Sequence, residues 1–168
     1  DGLTRIYNRR HLTELLGKYL SEAMAKKVSV SLALFDIDKF KMVNDTYGHQ
    51  CGDEVIRYVA SLLNRGALKH GGIAGRYGGE GFVVAFFEKD LDETYHIVED
   101  IHNQIRSEEV VYEGKHISVR ASVGVASYPQ TCANPGELLT RADWAMIRFP
   151  SGRGKRLMSM PSILLWTL

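Results

Sequence analysis

The sequence predicts an α/β (α+β) domain in which helices pack on a mixed sheet, and not a purely parallel doubly wound one. Helical and strand-like apolar periodicities alternate along the chain, in the order α-β-α-α-β-β-α-(β)-β-α-(β). A glycine-rich stretch, Gly75-Arg76-Tyr77-Gly78-Gly79-Glu80-Gly81-Phe82, sits between two apolar runs and reads as a hairpin, which brings antiparallel pairing into the middle of that alternation. The run Val28 to Phe35 is free of charge, as a strand covered on both faces must be.

Composition fits one soluble globular domain. The 168 residues carry 45% hydrophobic and 24% charged side chains, enough for a core. A net charge of +1 argues against a broad nucleic-acid footprint and leaves room for a small anionic ligand. The two cysteines, Cys51 and Cys132, have no metal-ligand spacing and are expected to be reduced thiols. No signal peptide is expected, and no apolar run approaches the roughly 20 residues that span a bilayer. A cytoplasmic domain without membrane contact is the expectation.

Taken in order, Asn8 is a possible N-cap for a helix over about 9–26, where Leu12, Leu15, Leu16, Tyr19, Leu20 and Ala23 make one stripe. The strand Val28 to Phe35 ends in Asp36-Ile37-Asp38, expected to place one carboxylate on each side. Lys39 to Tyr47 reads as a short helix stopped by Gly48. Gly52-Asp53 reads as the start of the next, with Asp53 as N-cap and Val55, Ile56, Val59, Leu62 and Leu63 inward. The hairpin runs from Ile73 to about Phe87. Helical spacing returns at Leu91, Thr94, Val98, Ile101 and Ile105. Two strands follow, Glu109–Tyr112 and Ile117–Tyr128, joined by a Glu113-Gly114 turn. Pro135-Gly136-Glu137 opens a last helix carrying Leu138, Leu139, Ala142 and Met146, which Pro150-Ser151-Gly152 ends.

Asp36 ends the central strand and Glu80 sits on the hairpin. If the two strands are neighbours, their carboxylates converge with no Cys or His nearby, which suits a hard cation such as Mg²⁺ held with phosphate oxygens. The plainer reading is two surface acids. Lys39-Phe40-Lys41 at a helix start offers amides and charge to phosphate, or is simply solvated. Asn44 and Asp53 can read a purine edge, or are a helix-end Asn and a cap. An EF-hand is excluded, because Lys41 stands where its loop needs glycine. A P-loop is excluded, because no Gly-Lys-Ser/Thr follows the glycines. An Asp-x-Asp after an apolar strand also suits a sugar-nucleotide transferase.

These residues resemble a known family, the GGDEF domain of bacterial diguanylate cyclases. The carrying motifs are Asp1-x-Leu3-Thr4-x-x-x-Asn8-Arg9-Arg10 and Phe35-Asp36-Ile37-Asp38-x-Phe40-Lys41-x-x-Asn44-Asp45-x-x-Gly48-His49-x-x-Gly52-Asp53. The turn Arg76-Tyr77-Gly78-Gly79-Glu80-Gly81-Phe82, the strand Ser122-Val123-Gly124-Val125-Ala126 and Arg141-Ala142-Asp143 complete them. The match covers residues 1–157 and leaves 158–168 as a tail outside the pattern.

The resemblance implies a palm-like fold akin to nucleotidyl cyclases and polymerases, with a ferredoxin-like core and a central mixed antiparallel sheet of about five strands surrounded by helices. It implies condensation of two GTP into cyclic di-GMP and two pyrophosphates by a homodimer. Asp36, the Ile37 carbonyl and Glu80 would hold Mg²⁺ or Mn²⁺, and Asp36 and Glu80 would be catalytic. Asn44 and Asp53 would read guanine. Lys39, Phe40, Lys41, Gly78, Gly79 and Arg153 would contact the rest of the nucleotide. Fusion to an upstream sensory or regulatory domain is expected.

Three departures qualify this. Gly81 stands where active members carry a glutamate, so weakened activity is expected. The family's inhibitory Arg-x-x-Asp is here Lys69-His70-Gly71-Gly72, without its acid and with a Lys that lacks the planar fork of Arg. The phosphate-binding Lys of the last helix is replaced around Phe149-Pro150, with a one-residue shortening before Gly152-Arg153. The alternatives are an inactive domain that binds GTP or cyclic di-GMP in the old cleft and signals to a partner, and a pure dimerisation module.

Overall fold

Val30–Ile37 forms β1, the strand at the centre of the domain, with every side chain but Asp36 buried. In the computed structural model, which describes residues 1–148, 158–160 and 163–165, β1 pairs antiparallel on one side with β3 (Gly81–Phe87) and on the other with β6 (Ala121–Tyr128). β2 (Ile73–Gly78) pairs with β3, giving a four-stranded sheet in the order β2-β3-β1-β6. Among the described residues the sheet thus has four strands where about five were expected. A single parallel bridge between Tyr7 and Gly75 lays the opening segment along its edge.

The period of two along β1 divides the core into two layers. Val30, Leu32 and Leu34 join Val83, Ala85 and Ala126 beneath α1 (Arg9–Lys26) and α5 (Leu138–Arg148). Ala33, Phe35 and Ile37 join Phe82, Val84, Phe86, Val123 and Val125 beneath α3 (His49–Lys69) and α4 (Leu91–Ser107). Phe35, Phe82 and Phe86 are fully buried, and truncating any one to Ala would cost about 3–5 kcal/mol. The helix starts follow from local chemistry. Asn8 accepts from the His11 amide at the head of α1, and Asp90 and Glu93 form a reciprocal capping box at the head of α4.

Several sequence expectations are corrected. Asp53 is not an N-cap. Gly48 turns the chain with φ 87° between α2 (Phe40–Tyr47) and α3, and α3 begins at once with His49, which puts Asp53 inside the helix. The predicted single strand Ile117–Tyr128 serves two sheets. β5 (Lys115–Ser118) pairs with β4 (Glu109–Tyr112) in a separate ribbon, and the chain then passes Val119-Arg120 into β6. Asp36 and Asp38 lie on one side of the strand, not on opposite sides. Residues two apart share a face, and Ser122, directly opposite Asp36, donates its hydroxyl to Asp38 at 2.6 Å. Met158–Met160 and Ile163–Leu165 form a short ribbon, β7-β8. The predicted end of the last helix at Pro150-Ser151-Gly152 lies outside the described residues. Among the described residues no helix is long and apolar enough to cross a membrane. Both cysteines are buried and free.

Candidate active site

The turn between β2 and β3 is closed by Gly78 opposite Gly81, so Gly79 and Glu80 are its two central residues, one position later than a Gly-Gly turn predicts. The register slips between Arg76 and Gly78, and Gly79 takes φ 52°, a conformation that glycine adopts without strain. The Glu80 carbonyl accepts from the Ile37 amide at 3.3 Å, which fastens the turn to the end of β1. Asp36 stands directly opposite Gly81. The predicted trio of Asp36, Ile37 and Glu80 is therefore brought together.

Burial pushes the Asp36 carboxyl up to about 6, and the neighbouring charges of Glu80, Asp38 and Asp143 push in the same direction. A half-buried carboxylate with further acids around it, and oxygen as the only donor type, makes a site for a hard cation. Among the described residues no group of three or more His, Cys, Asp or Glu is arranged to hold a metal ion on its own. A cation here would need backbone carbonyls, water or ligand phosphate as well, which is how Mg²⁺ is usually held with nucleotides. A cleft of about 310 Å³ adjoins these acids and is lined among others by Leu34, Asp36, Tyr77, Gly81, Asp143 and Met146. Sequence reasoning missed Asp143 as part of this surrounding. The available signal was an acid at helical spacing from Leu139 and Met146, on the inward stripe of α5.

A second cluster lies where α2 meets α3. A Cβ at Gly52 would fall 1.9 Å from Asn44 Oδ1 and 3.1 Å from the Phe40 ring, so Phe40 and Asn44 pack directly over this glycine. Asn44 Oδ1 is buried and has no hydrogen-bond partner. A buried acceptor left open is costly without a ligand. Asp53 follows Gly52 on the same turn of α3. Lys39 precedes α2 with φ 56°, no side chain caps that helix, and Lys39 and Lys41 are exposed. Arg153 and the Phe149-Pro150 departure lie outside the described residues.

The other departures have visible geometry. A Cβ at Gly81 would lie 3.2 Å from the Gly78 carbonyl oxygen and 3.9 Å from Asp36 Oδ1. A side chain here needs only a small adjustment and would stand beside Asp36. Lys69 ends α3, and Gly72 is buried. A Cβ at Gly72 would fall 2.5 Å from the Phe86 ring and 2.6 Å from the Ala85 carbonyl oxygen.

Comparison with known proteins agrees with this layout. The family described as "Diguanylate cyclase, GGDEF domain" matches residues 1–155. The chain is 32% identical over 149 residues to diguanylate cyclase A of Treponema denticola, covering 87% of this chain and 40% of that protein. It is 37% identical over 147 residues to the response regulator PleD of Caulobacter vibrioides, covering 85% of this chain and 32% of that protein. It therefore spans less than half of either relative. The crystal structure of the GGDEF domain of DgcB from Caulobacter crescentus in complex with c-di-GMP superimposes with a TM-score of 0.82. That match has 34% identity and covers 88% of this chain and 85% of that one. Palm-like architecture, motif positions and these similarities agree: the chain belongs to the GGDEF domain family of diguanylate cyclases.

Proposed function

We propose that this domain condenses two GTP into cyclic di-GMP with release of two pyrophosphates, at a rate lowered by Gly81. In each half-reaction the 3′-hydroxyl oxygen of one GTP bonds to the α-phosphorus of the other. The bond to the β,γ-diphosphate breaks, and the hydroxyl proton is lost. Each chain of a homodimer would bring one nucleotide. Asn44 and Asp53 would read guanine, and their placement supports this: Asn44 packs over Gly52 and Asp53 is the next residue of α3. Lys39 and Lys41 at the uncapped start of α2, with Phe40 and the Gly78-Gly79 backbone, would hold the phosphates, as would Arg153. A divalent Mg²⁺ or Mn²⁺ held by Asp36, Glu80 and the Ile37 carbonyl would supply charge neutralisation on the triphosphate. Holding both nucleotides in line is the rest of the work.

The observation that carries this reading is the meeting of Asp36, Ile37 and Glu80 at the end of β1, with Asp36 raised to about 6 by burial and its neighbouring acids. Incubation with GTP and Mg²⁺ or Mn²⁺, followed by chromatography, should yield cyclic di-GMP. No product at high enzyme concentration would overturn it. Gly81 favours a second reading, in which the domain binds GTP or cyclic di-GMP without turnover and signals to a partner. Calorimetry showing binding of neither nucleotide would exclude that one.

A further inference from the structure

We propose that Arg76 is a positioning residue that aims Glu80, and that Asp1 holds Arg76 in place to do so. The inference rests on the proposed metal role of Glu80 and concerns groups outside the cation's own ligands. The Arg76 side chain on β2 is largely buried, with 19% of it exposed. Its Nε donates to the Gly79 carbonyl at 2.9 Å, and its Nη1 donates to Asp1 Oδ1 at 3.3 Å. The same Asp1 oxygen accepts from the amides of Leu3 and Thr4, at 3.1 and 3.0 Å, and from the Thr4 hydroxyl at 2.9 Å. An acceptor fixed by that many donors is a rigid anchor for a guanidinium. The main chain of Arg76 is held by the same segment, its amide donating to the Tyr7 carbonyl at 2.8 Å.

The geometry of the turn gives this anchor its consequence. The Gly79 carbonyl is held by Arg76, and the Glu80 carbonyl is held by the Ile37 amide. The direction of the Glu80 side chain is set between those two fastenings. Gly79, the residue just before it, has the widest backbone freedom of any residue type. Without Arg76, one end of this two-residue loop is released and Glu80 is no longer held toward Asp36. Lys cannot replace Arg here, because one ammonium on a flexible stem does not reproduce two donors in a fixed fork. With no carboxylate at position 81, Glu80 is the only acid in the turn, so its aim governs how well the site grips a cation.

The test compares the wild type with Arg76→Ala, Arg76→Lys and Asp1→Asn. Three readouts are used: Mn²⁺ titration followed by the electron paramagnetic resonance of free ion with GTP present, GTP affinity in chelator, and amide hydrogen exchange. Arg76→Ala should weaken Mn²⁺ binding about tenfold, the size expected for one lost hydrogen bond to a charged group. Arg76→Lys should behave alike, and Asp1→Asn should show a smaller loss. GTP affinity in chelator should fall less than Mn²⁺ affinity does, and exchange at the Ile37 amide should speed up while that of Leu34 does not. If the wild type shows no Mn²⁺ dependence, the proposed function fails and takes this inference with it. If the wild type depends on Mn²⁺ and the variants match it, the inference alone is overturned, even where Ile37 exchange has changed. Asp1→Asn leaves Arg76 and its packing in place, so it decides the matter if Arg76→Ala does not fold.

Discussion

Asp36 of β1 and Gly81 of β3 are direct cross-strand partners, and a Cβ at position 81 would lie 3.9 Å from Asp36 Oδ1. Cross-strand partners project to the same face, so a glutamate at 81 would add its carboxylate beside the cleft. Gly81→Glu is therefore expected to raise turnover by about 10²–10³, the usual worth of one electrostatic group in such a site. The steric cost is a small shift of the Gly78 carbonyl. Single-turnover formation of cyclic di-GMP by both proteins measures it, and equal rates would mean that the missing carboxylate is not what limits turnover.

Asp36→Asn should stabilise the protein free of metal. The folded Asp36 has its pKa raised above the ordinary 3.8 to about 6, so the folded state holds its proton more tightly than the unfolded chain. Its contribution to stability therefore falls as pH rises through that window and stays low above it. The variant should melt higher than the wild type near neutral pH and lose that advantage near pH 4. Mg²⁺ should raise the melting temperature of the wild type near neutrality and leave the variant unmoved. Scanning calorimetry with and without Mg²⁺ checks both halves.

Gly52→Ala should damage nucleotide binding more than folding. Its Cβ would fall 1.9 Å from Asn44 Oδ1, the far end of a side chain that can rotate away. Displacing that acceptor should weaken GTP about tenfold or more and remove the preference for GTP over ATP. Competition binding with the two nucleotides decides it, and an unchanged preference would remove Asn44 from guanine recognition.

His102 should make the protein acid-sensitive in the direction opposite to Asp36. It is buried, its Nε2 donates to the Ala121 carbonyl at 2.9 Å, and burial lowers its pKa from the ordinary 6.5. Arg106 adds to that lowering, while Asp38 and Glu99 oppose it. The unfolded chain takes up the proton more readily, so stability present above about pH 6.5 is lost as pH falls through the folded value. Urea midpoints of Asp36→Asn should drop between about pH 7 and pH 5, and adding His102→Gln should shrink that drop.

Much of this was legible in the chain. Apolar periodicity located α1, β4 and the hairpin closely, because local pattern and tertiary burial agree there. The convergence of Asp36 with Glu80 was also readable, since a charge-free strand ending in acid and a hairpin bearing acid are natural neighbours. What was not legible depends on contacts distant in sequence. Asp53 looks like a cap in isolation, but Gly48 has already redirected the chain so that α3 starts at His49. The run Ile117–Tyr128 alternates without interruption, and only its pairing partners, Glu109 for Ser118 and Asp36 for Ser122, divide it between two sheets. The link from Asp1 to Arg76 joins residues that no local pattern connects.

Gly72 gives the departure from the family's Arg-x-x-Asp an asymmetry in time. An aspartate can be lost from that position by one substitution. Its return is a different matter, since the first carbon of any new side chain meets the Phe86 ring at 2.5 Å and the Ala85 carbonyl at 2.6 Å. Restoring the acid requires β3 to move or Phe86 to shrink at the same time, and Phe86 belongs to the core. An acid at position 72 therefore comes at the expense of the packing between α3 and β3, and that substitution alone disturbs the core before it restores any charge.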